Sequence, residues 1–298
     1  MAVKKIQLQP YCLPLRQTWR SAGGNFDTRC GYLISVEDNA GRRGYGDCAP
    51  LGGTESGAQA KDWLREQRAG LTGLQTDAAL AGLAAPDRCP PAARCGLETA
   101  LLDLISRQHQ LPLYRWLEAK ASATVQVNAN LGSLDSETNT RLAASTGFSV
   151  IKLKVGLLSV SQDIDNLQKL ANALPGGIRL RLDANQAWNM EQARRFISGI
   201  TDLPVECLEE PLRRPGLEQL EQLQKLATFP LALDESLTQL CRQDILSQRP
   251  VPRLVLKPML LGGLLAALNL GRKAQQVGLE SLVTTSVDSA IGSWAAVH

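Results

Sequence analysis

The sequence predicts an α/β protein whose C-terminal part is a (β/α) barrel and whose N-terminal part is a smaller α+β domain. Strand-like runs alternate with amphipathic segments after about residue 124, and polar residues end five of these runs at intervals of about 23–29 residues. The earlier part of the chain shows short alternating runs and helices without that repeat. We expect residues 1–120 to form an α+β capping domain and residues 121–298 to form the barrel domain.

The first 120 residues predict antiparallel strands followed by helices. Alternation of apolar and polar residues in VKKIQLQPYCLPL and GYLISVEDNAGRRGYGDCAP, interrupted by GG and DNAG, predicts strands and a hairpin. Helices are expected at about 54–69 and 92–108, and the second has leucines and an isoleucine at the spacing of one buried helical face. This order of elements is typical of an α+β domain.

The rest of the chain contains seven strand-like runs: VQVNAN, VIKLKVG, IRLRLDAN, VECLEEP, LALDES, RLVLKP and LESLVTTS. The amphipathic segments between them are long enough to be crossover helices, so we expect the strands to be parallel. A closed barrel of this type has eight strands. We therefore expect that the eighth strand is not in this sequence, and that residues 1–298 alone are either impaired or completed by further chain. An open doubly wound sheet is the alternative, but its usual glycine-rich phosphate turn is not found here.

Composition excludes several classes of protein. With 44% hydrophobic and 20% charged residues the chain resembles a globular protein, and its net charge of +3 comes without a basic stripe for nucleic acid. The most apolar stretch is shorter than a membrane helix requires, and no apolar run follows the lysines of MAVKKIQLQP. We therefore expect a cytoplasmic protein that binds a small molecule, with no nucleic acid or membrane partner. Its oligomeric state stays open.

The cysteines and histidines limit the chemistry. The seven cysteines include no Cys-x-x-Cys pair, and we expect them to be free thiols. The chain has two histidines, His109 and His298, so a catalytic triad or a histidine-rich zinc site is disfavoured. If the protein is an enzyme, lysines and carboxylates are expected to supply its acid and base.

Ionisable residues stand near the ends of five consecutive barrel strands: Lys152, Lys154, Asp183, Glu209, Asp234 and Lys257. Burial of one unpaired charge costs several kcal/mol, so this placement implies either mutual compensation or a metal ion. Carboxylates from three adjacent strands would meet at the barrel mouth and form an all-oxygen site, which Mg²⁺ prefers. Strand-end salt bridges are the alternative interpretation.

Alternation of side chains along a strand separates the neighbouring residues into two sets. Glu210 and Glu235 should point away from the metal site and form salt bridges, although either could replace its neighbour as a ligand. Lys152 and Lys154 should share the face that points to the barrel axis, while Lys257 approaches from four strands further round. A second ammonium and a metal cation nearby would favour the neutral form of Lys154, which could then accept a proton. Lysine–carboxylate pairs that hold the strands in register are the alternative.

The strings KLKVG, RLDANQAW, CLEEP, LDES and LKPMLLGG occur in an order and spacing that resemble the enolase superfamily. Enzymes of that superfamily use a lysine or histidine base and Mg²⁺ to stabilise an enediolate. The stretches LRLDANQAW, LKPMLLGG and VTTSVDSAIG are most similar to the o-succinylbenzoate synthase family of menaquinone and phylloquinone biosynthesis. The resemblance covers the barrel and implies an enolase-type barrel with an N-terminal capping domain.

The resemblance also implies a role for each matching residue. Lys154 would be the acid/base, Lys152 and Lys257 would form cationic walls, and Mg²⁺ would be held by Asp183, Glu209 and Asp234. The substrate carboxylate and its surroundings would be contacted by Arg20, Gly52, Asn185, Thr284, Thr285 and Ser286. An ordinary glycine-rich hairpin loop is the alternative for TWRSAGG, and strand-end capping is the alternative for the three hydroxyl residues.

Three functions follow from this resemblance. The main prediction is a carbon–oxygen lyase that dehydrates 2-succinyl-6-hydroxy-2,4-cyclohexadiene-1-carboxylate to o-succinylbenzoate, with Lys154 moving the proton. The alternative is an N-acylamino acid racemase or a dipeptide epimerase, which would use the same ligands and both active-site lysines. Dipeptide epimerases typically have a DxD motif on a last strand that this sequence does not reach. A barrel scaffold with purely structural charges is the third possibility.

Overall fold

The structure is a computed structural model that describes residues 1–21, 24–51, 56–85, 88–135, 138, 142 and 147–298. The side chains of residues 17, 20 and 21 also lie outside this description. Within the described residues, no helix is both long enough and apolar enough to cross a membrane.

The N-terminal region is an antiparallel sheet covered by helices. Its strands β1 (Val3–Ser21), β2 (Gly24–Asp38) and β3 (Arg43–Cys48) lie side by side in that order. The helices are α1 (Gly57–Leu71), α2 (Thr76–Ala81), α3 (Pro91–Gln108) and α4 (Leu113–Leu117). Helix α3 packs so closely on β3 that a Cβ atom at Gly44 or Gly46 would collide with the helix backbone. Glycine at these positions therefore allows the helix to lie directly on the sheet.

A disulfide joins Cys12 on β1 to Cys30 on β2, so the expectation of seven free thiols is wrong. The two residues face each other in the antiparallel register, and their Cα atoms are 4.0 Å apart. Such a pair depends on how the hairpin aligns and not on a local spacing of cysteines. The sequence pattern alone could not reveal it.

Seven parallel strands form the second sheet, in the spatial order of the chain. They are β4 (Ala129–Ser133), β5 (Val150–Lys154), β6 (Arg179–Asp183), β7 (Val205–Glu209), β8 (Leu231–Leu233), β9 (Arg253–Leu256) and β10 (Glu280–Val283). The helices that follow β5 are α5 (Val160–Ala173), α6 (Met190–Gly199), α7 (Leu217–Leu226), α8 (Ser236–Gln239), α9 (Arg242–Gln248), α10 (Pro258–Leu261), α11 (Leu264–Gln276) and α12 (Ala290–Val297). The predicted α/β fold, a barrel-type sheet with an N-terminal sheet region, is confirmed. The division at residue 120 remains a prediction.

The crossover helices begin at sequence signals for a helix N-terminus. Ser159 before α5 and Asn189 before α6 each accept a hydrogen bond from the backbone of a glutamine three residues later. That glutamine bonds back to the capping residue, which completes a capping box. The apolar faces of these helices cover the sheet, and Leu167 and Phe196 are fully buried against it.

The first strand of the parallel sheet lies later than the sequence predicts. The run VQVNAN suggested a strand from Val125, but Val125 and Val127 are each 59% exposed. Strand β4 begins at Ala129, which pairs with Ile151. A strand needs a partner, and in this register Val150, the first residue of β5, lies opposite Asn128, so β5 offers no partner to Val125 or Val127.

Helix α3 also makes buried contacts with the barrel region. Arg94 and Glu98 on this helix form a buried ion pair. Arg94 donates to the carbonyl of Gly262, and a carboxylate oxygen of Glu98 accepts from the backbone N–H of Leu265 at 3.0 Å. Met259, which follows β9, is part of the hydrophobic core of the N-terminal region. The two regions therefore share apolar and charged interior contacts.

Candidate active site

The C-terminal ends of β6, β7 and β8 bring three carboxylates together. Asp183 and Glu209 are the last residues of their strands, and Asp234 directly follows β8. One carboxylate oxygen from each lies within 4.8 Å of the other two. All three side chains are buried. Neighbouring parallel strands place their ends at one edge of the sheet, which explains why residues far apart in sequence converge here.

The three predicted lysines contact these carboxylates. Lys152 Nζ lies 2.9 Å from Asp183 Oδ2 and also bonds to Glu209. Lys154 Nζ donates to Asp183 Oδ2 at 3.0 Å and to the amide oxygen of Asn185. On the far side, Lys257 Nζ donates to Asp234 Oδ2 at 2.5 Å. Three lysines thus face three carboxylates in one buried cluster, which we call the strand-end cluster.

The electrostatics of this cluster follow from burial and close charges. Burial alone would lower the pKa of Lys152, but the nearby carboxylates raise it above its usual range. Burial would raise the pKa of Asp183, but Lys152 holds it below its usual range. For Glu209, burial together with Asp183 and Asp234 raises the pKa to about 7. The site therefore disfavours one of its three negative charges unless additional positive charge is bound.

The donor atoms of the site fit a hard divalent cation. All three carboxylates offer oxygen, and neither cysteine nor histidine is part of the described cluster. Asp234 Oδ1 is buried and has no hydrogen-bond partner in the described part of the chain. A buried carboxylate oxygen without a donor is costly, and a Mg²⁺ ion would satisfy it. These residues fit the predicted cofactor.

Glu210 and Glu235 do not behave as the expected salt bridges. Glu210 has a left-handed backbone, with φ at 47°, and its carboxylate accepts from the backbone N–H groups of Asp234 and Ser236 at 2.6 and 2.8 Å. Burial raises the pKa of Glu210 to about 8. Glu235 accepts a hydrogen bond from Asn185 Nδ2 at 2.8 Å. Strand alternation ends where the backbone turns left-handed, so Glu210 shapes the exit of β8 and does not reach across to a cation.

A cavity of about 940 Å³ lies above the strand ends, between the two regions of the molecule. Lys154, Asn185 and Lys257 line its floor. The antiparallel sheet supplies an aromatic wall with Tyr11, Trp19, Phe26 and Tyr32. The Trp19 and Phe26 rings stack with centroids 6.3 Å apart, and Lys154 Nζ lies 5.2 Å from the centroid of the Trp19 ring. The cavity thus combines a charged floor with the aromatic wall.

Three of the six predicted substrate-binding residues line the cavity in the described part of the chain. Asn185, Thr285 and Ser286 line the cavity. Thr284 instead continues β10 through a bond from its N–H to the carbonyl of Leu256. The backbone of Arg20 pairs with Asn25, whereas the Arg20 side chain and all of Gly52 lie outside the described residues. The predicted roles of all six substrate-binding residues stay predictions.

Among the residues of the aromatic wall, only Trp19 in TWRSAGG was named from the sequence. Tyr11 and Phe26 reach the cavity only because the antiparallel sheet docks over the barrel. Trp19 pairs with Phe26 in the register of the hairpin. This cross-strand pairing was the available signal that Phe26 lies beside Trp19.

Comparison with known proteins identifies the family. The family model described as "Enolase C-terminal domain-like" matches residues 136–298. The chain belongs to the enolase superfamily. The superfamily resemblance expected from the sequence motifs is therefore confirmed.

Several of the proteins that this chain resembles are named epimerases. The hydrophobic dipeptide epimerase of Enterococcus faecalis is 26% identical over 310 residues, which cover 100% of this chain and 86% of the relative. The hydrophobic dipeptide epimerase of Roseobacter litoralis is 31% identical over 304 residues, with 96% and 84% covered. A crystal structure of the dipeptide epimerase from Enterococcus faecalis, complexed with Mg and the dipeptide L-Leu-L-Tyr, superposes with a TM-score of 0.90. It is 25% identical, with 100% of this chain and 86% of that chain covered.

These relatives correct the predicted activity. The prediction of o-succinylbenzoate formation by a carbon–oxygen lyase is wrong, because curated relatives that align with 96–100% of the chain are named epimerases. The assignment to menaquinone and phylloquinone biosynthesis loses its support with it. Motifs such as KLKVG and RLDANQAW carry Lys154 and Asp183, to which the resemblance assigns roles common to the superfamily, so these motifs do not separate its activities. The prediction of a Mg²⁺ cofactor is confirmed, by Mg in the related structure and by the acidic triad here.

Proposed function

We propose that this protein is a Mg²⁺-dependent dipeptide epimerase that inverts one Cα of a dipeptide with hydrophobic side chains. The observation that carries the proposal is that Lys154 and Lys257 line one cavity from β5 and β9, with the three carboxylate-bearing strands between them. Inversion needs an acid/base group on each side of the reacting carbon, and these two lysines provide such a pair. The names of the relatives support the same activity.

Asp183, Glu209 and Asp234 would hold the metal ion at the floor of the cavity. When bound, Mg²⁺ stabilises the negative charge that develops on substrate oxygens as the Cα proton leaves. The protein itself keeps water from this region, because all three carboxylates are buried. Carboxylates and lysines of the strand-end cluster then provide fixed charges where the substrate charge changes.

The two lysines would exchange roles according to the direction of the reaction. In one direction neutral Lys154 removes the Cα proton, and the ammonium of Lys257 donates a proton to the opposite face. In the other direction Lys257 is the base and Lys154 is the acid. One proton leaves the carbon and one arrives, so the dipeptide keeps its composition and only the configuration changes.

The aromatic wall supports a substrate with apolar side chains. Trp19, Phe26 and Tyr32 face the cavity from the antiparallel sheet, and Leu260 lies on the barrel side. Burying an apolar side chain against such a wall favours binding by about 25 cal/mol per Å² of apolar surface. The cavity is large enough for a dipeptide, since ligand pockets usually measure about 300–1,000 Å³.

Deuterium incorporation tests the two-lysine arrangement. L-Leu-L-Tyr is incubated with the protein and Mg²⁺ in D₂O, and inversion and deuterium at each Cα are followed by NMR and chiral chromatography. Lys154→Ala and Lys257→Ala should each lower inversion by about 10²–10⁴-fold or more. Each variant should still exchange the Cα proton of one epimer without inverting it, and the two variants should exchange opposite epimers. Lys225→Ala changes an exposed lysine and is the matched control.

Two outcomes would contradict the proposal. One is a folded wild-type protein that inverts neither L-Leu-L-Tyr nor other hydrophobic dipeptides in the presence of Mg²⁺. The other is formation of o-succinylbenzoate from the cyclohexadiene carboxylate, which would restore the lyase reaction. Inversion of N-acylamino acids without inversion of dipeptides would move the activity to the racemase alternative.

A further inference from the structure

Arg29 on β2 joins the antiparallel sheet to the turn that follows β10. Its guanidinium is buried, with 6% of the residue exposed. Nε donates to the carbonyl of Val287 at 3.0 Å, and Nη2 donates to the carbonyl of Ser286 at 3.3 Å. The remaining bonds go to the carbonyls of Ala49 and Pro50, which follow β3. One side chain therefore ties the exits of two strands from different regions together.

The turn that Arg29 holds has a strained backbone. Val287 has a φ of 61°, which lies in the left-handed region. A β-branched residue rarely adopts this conformation, and it persists only where the surroundings enforce it. Arg29 donates to the carbonyls of Ser286 and Val287, which flank the N–Cα bond of Val287. These two bonds are therefore placed to hold the φ angle of Val287.

The same turn carries cavity residues. Thr285 and Ser286 line the cavity, and Ser286 Oγ is buried without a hydrogen-bond partner in the described residues. Leaving a buried hydroxyl unsatisfied costs free energy, so Ser286 has unused hydrogen-bonding capacity beside the cavity. The conformation of the turn decides where these two hydroxyls point.

Asp47 gives the turn a second attachment to the antiparallel sheet. This residue is 2% exposed, and its Oδ2 accepts from the backbone N–H of Ser289 at 2.8 Å. Its other oxygen accepts from the hydroxyl of Tyr11, also at 2.8 Å. The turn is thus held at Ser286 and Val287 by a cation and at Ser289 by a carboxylate.

We propose that Arg29 is a positioning residue that holds the 284–289 turn in its strained form and so presents the hydroxyls of Thr285 and Ser286 to the substrate. The identity of that substrate rests on the proposed function, whereas the hold on the turn does not. Four carbonyls occupy the guanidinium, so Arg29 acts on the substrate through the turn. Its planar fork suits this role, since a lysine has no such set of parallel donors.

Hydrogen exchange and kinetics on Arg29→Gln test the proposal. Amide exchange over 284–289 should become at least about tenfold faster than in the wild type, because the strained turn loses its support. The KM for L-Leu-L-Tyr should rise by about tenfold while kcat changes by less than about threefold, since substrate contacts are lost and both lysines stay in place. Arg43→Gln, which removes an exposed arginine of the same sheet, is the control and should change neither quantity.

A second substitution tests the strain directly. Glycine adopts a positive φ at no steric cost, so Val287→Gly in the Arg29→Gln background should restore part of the exchange protection and of the KM. Arg29→Lys keeps the positive charge without the fork and should give an intermediate KM; it also serves if Arg29→Gln does not fold.

Each contrary result has a distinct meaning. Unchanged exchange over 284–289 in Arg29→Gln would overturn the hold on the turn. Faster exchange with an unchanged KM would overturn the link to substrate binding, and failure of glycine to restore protection would overturn the role of strain. Exchange is measured without substrate, so a wild type that lacks epimerase activity would defeat the proposed function and leave the test of the turn intact.

Discussion

Two clusters of charged side chains lie on the same parallel sheet, and they are built differently. The lower cluster sits nearer the start of the strands and contains Arg181, Glu206, Arg253 and Glu280. Glu206 uses both oxygens, one accepting from Arg181 Nε at 2.9 Å and the other from Arg253. Arg253 also donates to Glu280 at 2.7 Å. In this cluster arginines and glutamates pair with each other, and Arg181 Nε also lies 3.9 Å from Glu209 Oε1 of the strand-end cluster.

The strand-end cluster has lysines in place of arginines and leaves atoms unpaired. Asp234 Oδ1 in this cluster and Glu235 Oε2 beside it are buried without partners in the described residues. Arginine stays protonated and fits carboxylates with its fork, whereas lysine can release a proton when its surroundings favour that. Salt bridging therefore accounts for the lower cluster, whereas the strand-end cluster has unsatisfied oxygen that a cation could bind and lysines that can transfer protons.

The largest expected effect separates metal binding from stability. Glu209→Gln should abolish turnover and the rise in Tm on adding Mg²⁺, because one of three ligands loses its charge. The free energy of unfolding without metal should change by less than about 1 kcal/mol, since weaker repulsion from Asp183 and Asp234 offsets the lost attraction to Lys152. Thermal unfolding with MgCl₂ or EDTA measures both quantities. A Mg²⁺ response equal to that of the wild type would exclude Glu209 as a ligand.

The same chemical change in the lower cluster should have the opposite pattern. Glu206→Gln leaves Arg181 and Arg253 without their shared carboxylate, and we expect the free energy of unfolding to fall by about 3 kcal/mol. The Mg²⁺-dependent rise in Tm should persist, because the strand-end cluster is unchanged. Urea unfolding with and without Mg²⁺ provides the measurement. If Glu206→Gln instead lost the Mg²⁺-dependent rise in Tm and kept its free energy of unfolding, the proposed difference between the two clusters would be wrong.

A smaller effect concerns Asp288, which lies outside both clusters and within the 284–289 turn. Burial and the neighbouring Asp47 raise the pKa of Asp288 to about 6. The unfolded carboxyl has a pKa of about 3.9, so the folded protein holds this proton more tightly. The resulting stabilisation is complete below about pH 3.9 and is lost as the pH rises through about 6.

Asp288→Asn mimics the protonated form and should remove this loss. Its Tm should exceed that of the wild type by roughly 2–4 °C near pH 8, and the gap should close as the pH falls to about 4. Asp202→Asn, at an exposed position, is the matched control for the loss of one negative charge. A constant gap across this pH range would show that Asp288 does not titrate as described.

The charged floor of the cavity could be predicted because its elements are local. Strand runs, their parallel order and the polar residue at each end follow from the sequence pattern, and Asp183, Glu209 and Asp234 do lie together. Arg181 and Glu206 were overlooked because they stand within apolar runs, where a lone charge gives no sign of its partner. Glu210 departed from strand alternation because its left-handed backbone, a tertiary feature, redirects the side chain.

The residues that the antiparallel sheet brings to the barrel could not be predicted in the same way. Trp19, Arg29 and Asp47 reach the barrel only through the docking of the antiparallel sheet, and no local spacing encodes that contact. The barrel motifs identified the superfamily correctly and the reaction wrongly.

The Arg94–Glu98 pair has a consequence for how the molecule unfolds. Glu98 is fully buried where α3 meets the start of α11, and Met259 from the barrel side completes the core beneath the antiparallel sheet. Neither region can melt first without exposing a charge pair and apolar surface that belong to both. We therefore expect the sheet region and the barrel region to lose structure in a single cooperative transition, although a boundary between them can be drawn on the chain.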